Sequence, residues 1–151
     1  MLLKIAKCRD VKTPERAHST DAGLDFFLPN DSKQINLNPG ENACIPSGIK
    51  IEVPYGYMGL FLNKSGIASK KSITVGAQVI DFAYDAEVHV DLHNIGRDRV
   101  IFKPGDKLAQ LVIVPVLCCQ VTECDEDDLY REVKDEAGSL RGNGGFGSTG
   151  T

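Results

Sequence analysis

Few groupings in this chain have residue types and spacing that could do chemistry, and they lie far apart. Asp81 follows the apolar pair Val79-Ile80 at a predicted strand end beside a hairpin. A carboxylate so placed can hold a water and take its proton, the task of a general base in hydrolysis. A turn-forming Asp is the plainer reading of the same position. Asp25 is a charge within the apolar run Leu24-Asp25-Phe26-Phe27-Leu28, which is costly unless the charge is paired. His89, Asp91 and His93 alternate with Val88, Val90 and Leu92, so the three polar side chains share one strand face. That stripe could bind a transition metal or line a polar channel; a solvent-facing face is the simpler expectation.

From Arg141 the composition changes to Arg-Gly-Asn-Gly-Gly-Phe-Gly-Ser-Thr-Gly-Thr. So many glycines cannot hold one conformation alone, because each has much backbone entropy to lose. A frayed terminus is one reading. A lone Phe146 amid glycines is of little use there, but it would serve a lid that stacks on a base. Gly147 and its neighbours let successive N–H groups curl round phosphate oxygens, with Arg141, Ser148 and Thr149 adding donors.

The elements that must position these groups follow a period of two. Leu24–Leu28, Gly48–Val53 and Glu87–Leu92 are predicted to be half-buried strands. Asn38-Pro39-Gly40, Pro54-Tyr55-Gly56 and Lys103-Pro104-Gly105-Asp106 supply turns between them. Short strands with such punctuation indicate an all-β barrel or double-sheet jelly roll. Leu108–Val116 is a nearly continuous apolar run, expected where both faces are covered, in the core or at a subunit contact. At most one or two short helices are expected. Ser65–Lys71 is one; Asp125–Ala137 is the other, with acids early and Arg131 and Lys134 later, as a helix dipole prefers. The domain expected is 1–140, with 141–151 as the glycine-rich segment.

The chain has 151 residues, 42% hydrophobic and 25% charged, enough for one domain with its own core. A net charge of -4 gives no basic field for duplex nucleic acid, though a local donor cluster could still take a small anion. No apolar run approaches the roughly 18 residues that span a bilayer, and the amino terminus is too charged for a secretory signal. Five cysteines, without CxxC or Cys/His metal spacing, are expected to be reduced thiols of a cytoplasmic protein.

Five segments, in order, resemble the motifs of the trimeric dUTPase family. They are Ala22-Gly23-Leu24-Asp25; Lys64-Ser65-Gly66-Ile67-Ala68; Val75-Gly76-Ala77-Gln78-Val79-Ile80-Asp81 through Tyr84 and Glu87; Gly105-Asp106-Lys107-Leu108-Ala109-Gln110-Leu111; and Arg141 to Gly150. The resemblance implies a distorted β-jelly-roll that assembles as a homotrimer with shared active sites, of cellular or viral origin. It implies Mg²⁺-dependent cleavage of dUTP to dUMP and pyrophosphate, which keeps uracil out of DNA and supplies dUMP for dTMP synthesis.

It also implies roles. Asp81 orients the water that attacks the α-phosphorus and lies near the 3′-hydroxyl. Tyr84 packs under the deoxyribose and leaves no room for a 2′-hydroxyl. The main chain of Gly76, Ala77, Gln78 and Val79 reads uracil. Lys64, Ser65, Gln110 and Arg141 serve the phosphates, and Gly66 permits close backbone approach. Phe146, Gly147, Ser148 and Thr149 close over the pocket. Asp25 lies near metal-bound waters, while Mg²⁺ itself binds mainly to the triphosphate.

Lys64 stands where the family carries arginine, which keeps the charge but loses the planar two-pronged contact. Gln78 and Ala86 stand where glycine is common, so either would be strained if its φ were positive. Two alternatives remain: a dCTP deaminase, for which Asp91 lies at nearly the spacing of that family's acid/base, and a non-catalytic dUTP binder that signals to a protein partner.

Overall fold

The computed structural model describes residues 2–131. Arg141, Phe146, Gly147, Ser148 and Thr149 lie outside the described residues, as do residues 132–137 of the second expected helix. Two compact units divide the chain, residues 1–117 and 118–151.

The first unit is almost entirely β. Its strands are β1 (Lys4–Lys7), β2 (Leu24–Phe27), β3 (Ile35–Leu37), β4 (Asn42–Pro46), β5 (Ile49–Glu52) and β6 (Tyr57–Leu62), followed by helix α1 (Ser65–Lys71). Then come β7 (Ile73–Val75), β8 (Val79–Ile80), β9 (His89–Asn94), β10 (Val100–Phe102) and β11 (Lys107–Pro115). They form four small antiparallel sheets: β1-β5, β10-β3, β2-β11-β6-β8 and β4-β9-β7. This matches the expected all-β class with one short helix.

The period-two pattern is realised as burial. In β9, Val90, Leu92 and Asn94 are buried while His89, Asp91 and His93 face the other way. Asn94 is the polar member of the buried face of β9, and it is satisfied. Its Nδ2 donates to the carbonyls of Leu37 and Asp98, and its Oδ1 accepts from Gly96 N–H. Burying an amide so completely hydrogen-bonded avoids the cost of an orphaned polar group, and it ties β9 to β3 and the turn before β10. Phe26 and Phe61 meet edge to face at 5.0 Å in the centre of the core.

Strand β11 is hydrogen-bonded on both edges, to β2 and β6, as its apolar run requires. Leu108, Ala109 and Leu111 are buried, and Val112–Val114 are partly so. Its pairing with β2 slips by one residue between Lys107 and Ala109. Such a bulge resets the alternation of side chains.

In the second unit, the described residues form consecutive turns over Glu126–Tyr130, where the start of a helix was expected, and helix is assigned at Arg131, the last described residue. Four adjacent acids repel one another, and this stretch has no buried face to repay helix formation. The five cysteines are free and exposed. Among the described residues no helix is long and apolar enough to cross a membrane.

Candidate active site

Two clusters gather the site residues. The first surrounds Asp25, which is 2% exposed. Its N–H donates to the Glu15 carbonyl at 2.8 Å, anchoring the strand. Lys64 Nζ donates to Oδ1 at 2.5 Å, and Lys107 Nζ stands 2.6 Å from Oδ2. The pairing that Asp25 requires is therefore met by two lysines from different motifs. Burial works to raise the Asp25 pKa, but Lys107 and Lys64 outweigh it and hold the carboxyl below its usual range. Lys64 and Lys107 thus cover one carboxylate oxygen each.

The bulge explains how Lys107 arrives. Gln110 pairs across from Asp25 and Lys107 across from Phe27, so side chains three apart on β11 come to the same face. Gln110 Nε2 donates to the Asn63 carbonyl at 2.9 Å. Gly23 makes room for it, since a Cβ there would sit 2.2 Å from Gln110 Oε1. Lys64 is the N-cap of α1 and provides no side-chain cap. The N–H groups of Ser65 and Gly66 thus have no intrahelical acceptor, and a Cβ at Gly66 would meet nothing within 4 Å. The cluster combines two ammonium groups, an amide and unfilled helix amides, a donor set suited to phosphate oxygens.

The second cluster lies at the hairpin before β8. Phe61, Ala77, Gln78, Val79, Ile80, Asp81, Tyr84, Val88 and His89 line a cavity of about 190 Å³. Val79 lies opposite Leu60, and Phe61 N–H donates to the Gln78 carbonyl at 2.8 Å. In an antiparallel ladder this makes Leu60–Val79 a non-hydrogen-bonded pair. Because β8 is the edge of its sheet, the N–H and C=O of Val79 both point outward, a donor and an acceptor side by side. Asp81 follows immediately, exposed, in a turn closed by Tyr84 N–H on its carbonyl at 3.1 Å. Tyr84 is no core residue: it is 43% exposed, and its hydroxyl donates to the Glu87 carbonyl at 3.0 Å. Glu87 in turn accepts from Gly48 N–H, fixing the end of the loop. Neither Gln78 nor Ala86 has a positive φ, so the strain considered for them does not arise.

None of Asp25, Lys64, Ser65 or Gln110 lines the Asp81 cavity. Asn63 joins the two clusters: its side chain accepts from Val75 N–H at 2.7 Å, and its carbonyl takes Gln110. Asn63, Lys107 and Gly23 were not assigned roles from sequence, although Lys107 and Gly23 sit inside motifs. A charge two residues from a turn glycine, and a glycine two residues before a buried acid, are the signals that could have found Lys107 and Gly23.

The His-x-Asp-x-His stripe does not converge. His89 Nδ1 lies 2.9 Å from the Glu87 carbonyl, whereas His93 and Asp91 pair with each other. Among the described residues, no group of three or more His, Cys, Asp or Glu could hold a metal ion.

Known proteins resemble the chain along nearly its whole length. A family model described as dUTPase matches residues 9–150. A deoxyuridine 5'-triphosphate nucleotidohydrolase from Hydrogenobaculum sp. is 38% identical over 99% of both chains. A variant dUTPase of Staphylococcus bacteriophage 80alpha, solved with dUpNHpp, superposes with a TM-score of 0.80 at 26% identity, covering 99% of each chain. An aspartate-to-asparagine variant of the dUTPase from phage phi11 of S. aureus, described for its coordination of a structural Mg(II) ion, gives 0.75 at 27% identity over 83% of this chain and 98% of its own.

Proposed function

The chain belongs to the dUTPase family, and on that footing we propose that it cleaves dUTP to dUMP and pyrophosphate by water attack on the α-phosphorus, with Asp81 as the base. The observation that carries this reading is the outward donor–acceptor pair of Val79 directly beside Asp81 and Tyr84 in one cavity. Uracil presents a ring N–H next to carbonyl oxygens, so it can exchange two hydrogen bonds with such a strand edge. Cytosine carries no N–H at that ring nitrogen and mismatches the pattern. Backbone readout also needs no amide side chain. The Tyr84 ring then underlies the sugar, where a 2′-hydroxyl would clash and lose its water.

With the base and sugar held, Asp81 orients the water and takes its proton as the phosphorus–oxygen bond forms. Lys64, Ser65, Gln110 and Arg141 hold the phosphates, and Lys107 joins them. Phe146 stacks on the base, while Gly147, Ser148 and Thr149 close over the phosphates. By the family resemblance Asp25, held by Lys64 and Lys107, would lie toward the waters of a magnesium ion brought with the triphosphate. Bound there, such an ion would supply charge neutralisation to the leaving pyrophosphate.

Since the phosphate-side residues do not line the Asp81 cavity of their own chain, the reading includes a homotrimer in which copies complete each other's sites. It places the enzyme in removing dUTP, so that uracil stays out of DNA, and in supplying dUMP. Deamination is disfavoured because the Asp91 carboxylate is engaged by Ala77 N–H and His93. Assaying pyrophosphate and ammonia release from dUTP, dCTP, dTTP and UTP tests the reading. Pyrophosphate from dUTP alone is expected, and ammonia from dCTP would replace it.

A further inference from the structure

We propose that Asp91, held by His93, is a positioning residue that clamps the base-reading hairpin at Gly76 and Ala77. The inference rests on the function proposed above. Strand β7 ends at Val75, paired with Leu92, yet Asp91 continues the attachment for two more residues. Its carbonyl accepts from Gly76 N–H at 2.8 Å, and its Oδ2 accepts from Ala77 N–H at 3.2 Å. His93 Nε2 lies 2.8 Å from the same oxygen and, donating, holds the carboxylate over the hairpin. Asp91 therefore grips the segment with main chain and side chain together.

The fit is close. A Cβ on Gly76 would lie 2.1 Å from Asp91 Oδ2 and 2.4 Å from His93 Nε2, so only glycine lets the hairpin approach the pair. Ala77 is exposed, and without Asp91 its N–H would turn to water and the corner would lose its tether. Two residues further on, Val79 presents its free N–H and C=O. A displacement at Ala77 moves those groups relative to uracil but leaves Asp81 anchored through its own turn with Tyr84. The clamp should thus act on nucleotide affinity and not on the chemical step. The polar stripe of β9 has this use without any metal.

Steady-state kinetics of three variants test it. Asp91→Ala should raise KM for dUTP about tenfold, the worth of one hydrogen bond to a charged group, with kcat within about threefold of the parent. Asp91→Asn retains an acceptor for Ala77 N–H and should restore KM to near the parent value. Gly76→Ala should share the Asp91→Ala phenotype, because its Cβ displaces the carboxylate. An unchanged KM in Asp91→Ala overturns the clamp, as does an equal loss in Asp91→Asn or a fall confined to kcat. Amide hydrogen exchange of Ala77 in the parent protein gives a second reading that does not depend on any variant folding. Slow exchange at this exposed position is expected, and exchange at the rate of a free loop amide overturns the proposal. A parent protein that leaves dUTP uncut while Ala77 is protected overturns the proposed function and not the clamp's geometry.

Discussion

Lys107 Nζ reaches within 2.6 Å of Asp25 Oδ2 only because β11 bulges against β2 between Lys107 and Ala109. The second lysine turns a buried acid into the centre of a two-cation cluster. Asp25 thereby has a structural part, since removing either lysine leaves a desolvated carboxylate short of compensation.

Acid stability should report that pairing. The folded-state pKa of Asp25 lies below its ordinary value of 3.8, so its contribution is present above about pH 4 and is lost as pH falls through the folded pKa. Lys107→Met should destabilise the fold at pH 7 by about 1–2 kcal/mol, less than a fully buried pair because Lys107 is half-exposed and Lys64 remains. Denaturant unfolding should show the gap between variant and parent narrowing below about pH 4. A gap that stays constant through the whole acid range in which Asp25 protonates would contradict the pairing.

Gly23→Ala should force Gln110 out of its place, since the new Cβ would meet Oε1 and Cδ of that side chain. Overpacking of this kind costs about 1–3 kcal/mol. The freed Gln110 should also lose Asn63 and weaken dUTP binding, measurable by calorimetry. Unaltered binding with unaltered stability would mean that Gln110 needs no such seat.

Much of this was legible in the sequence where the signal is local. Alternation in His89–Asn94 announces a half-buried strand because side-chain direction has period two whatever the partner. Ser65–Lys71 forms the expected helix, and Asp25, a charge among Leu and Phe, announces that a partner must exist. The partner's identity was not legible. Lys107 reaches Asp25 through a register slip between strands more than eighty residues apart, and no local pattern encodes that. Asp91 likewise reads as one member of a polar stripe until β7 is laid beside β9 and Gly76 falls under its carboxylate. Over Glu126–Tyr130 the chain makes turns and not regular helix, for a reason composition already held: adjacent acids repel one another.

Asp81→Asn keeps the shape of the side chain and removes its basicity. Turnover of dUTP should fall by about 10²–10⁴, the usual worth of a general base, while affinity for the nucleotide stays near the parent's. Single-turnover kinetics beside equilibrium binding would separate the two effects. Parent-like turnover would take Asp81 out of the chemistry.

Deleting residues 142–151 should leave the fold intact and nearly abolish hydrolysis. Phe146→Ala alone should weaken nucleotide binding by about 1–3 kcal/mol, the range of aromatic–base stacking. A truncated chain that hydrolyses dUTP at the parent rate would show that the segment closes nothing.

Turnover in water enriched in a heavy oxygen isotope tests the central claim most directly. Water primed by Asp81 at the α-phosphorus must leave its oxygen in dUMP, with unlabelled pyrophosphate as the other product. Mass spectrometry should find the label in the nucleotide alone. Label in pyrophosphate would place the attack on the β-phosphorus, and no turnover at all would remove hydrolysis; either result contradicts the account.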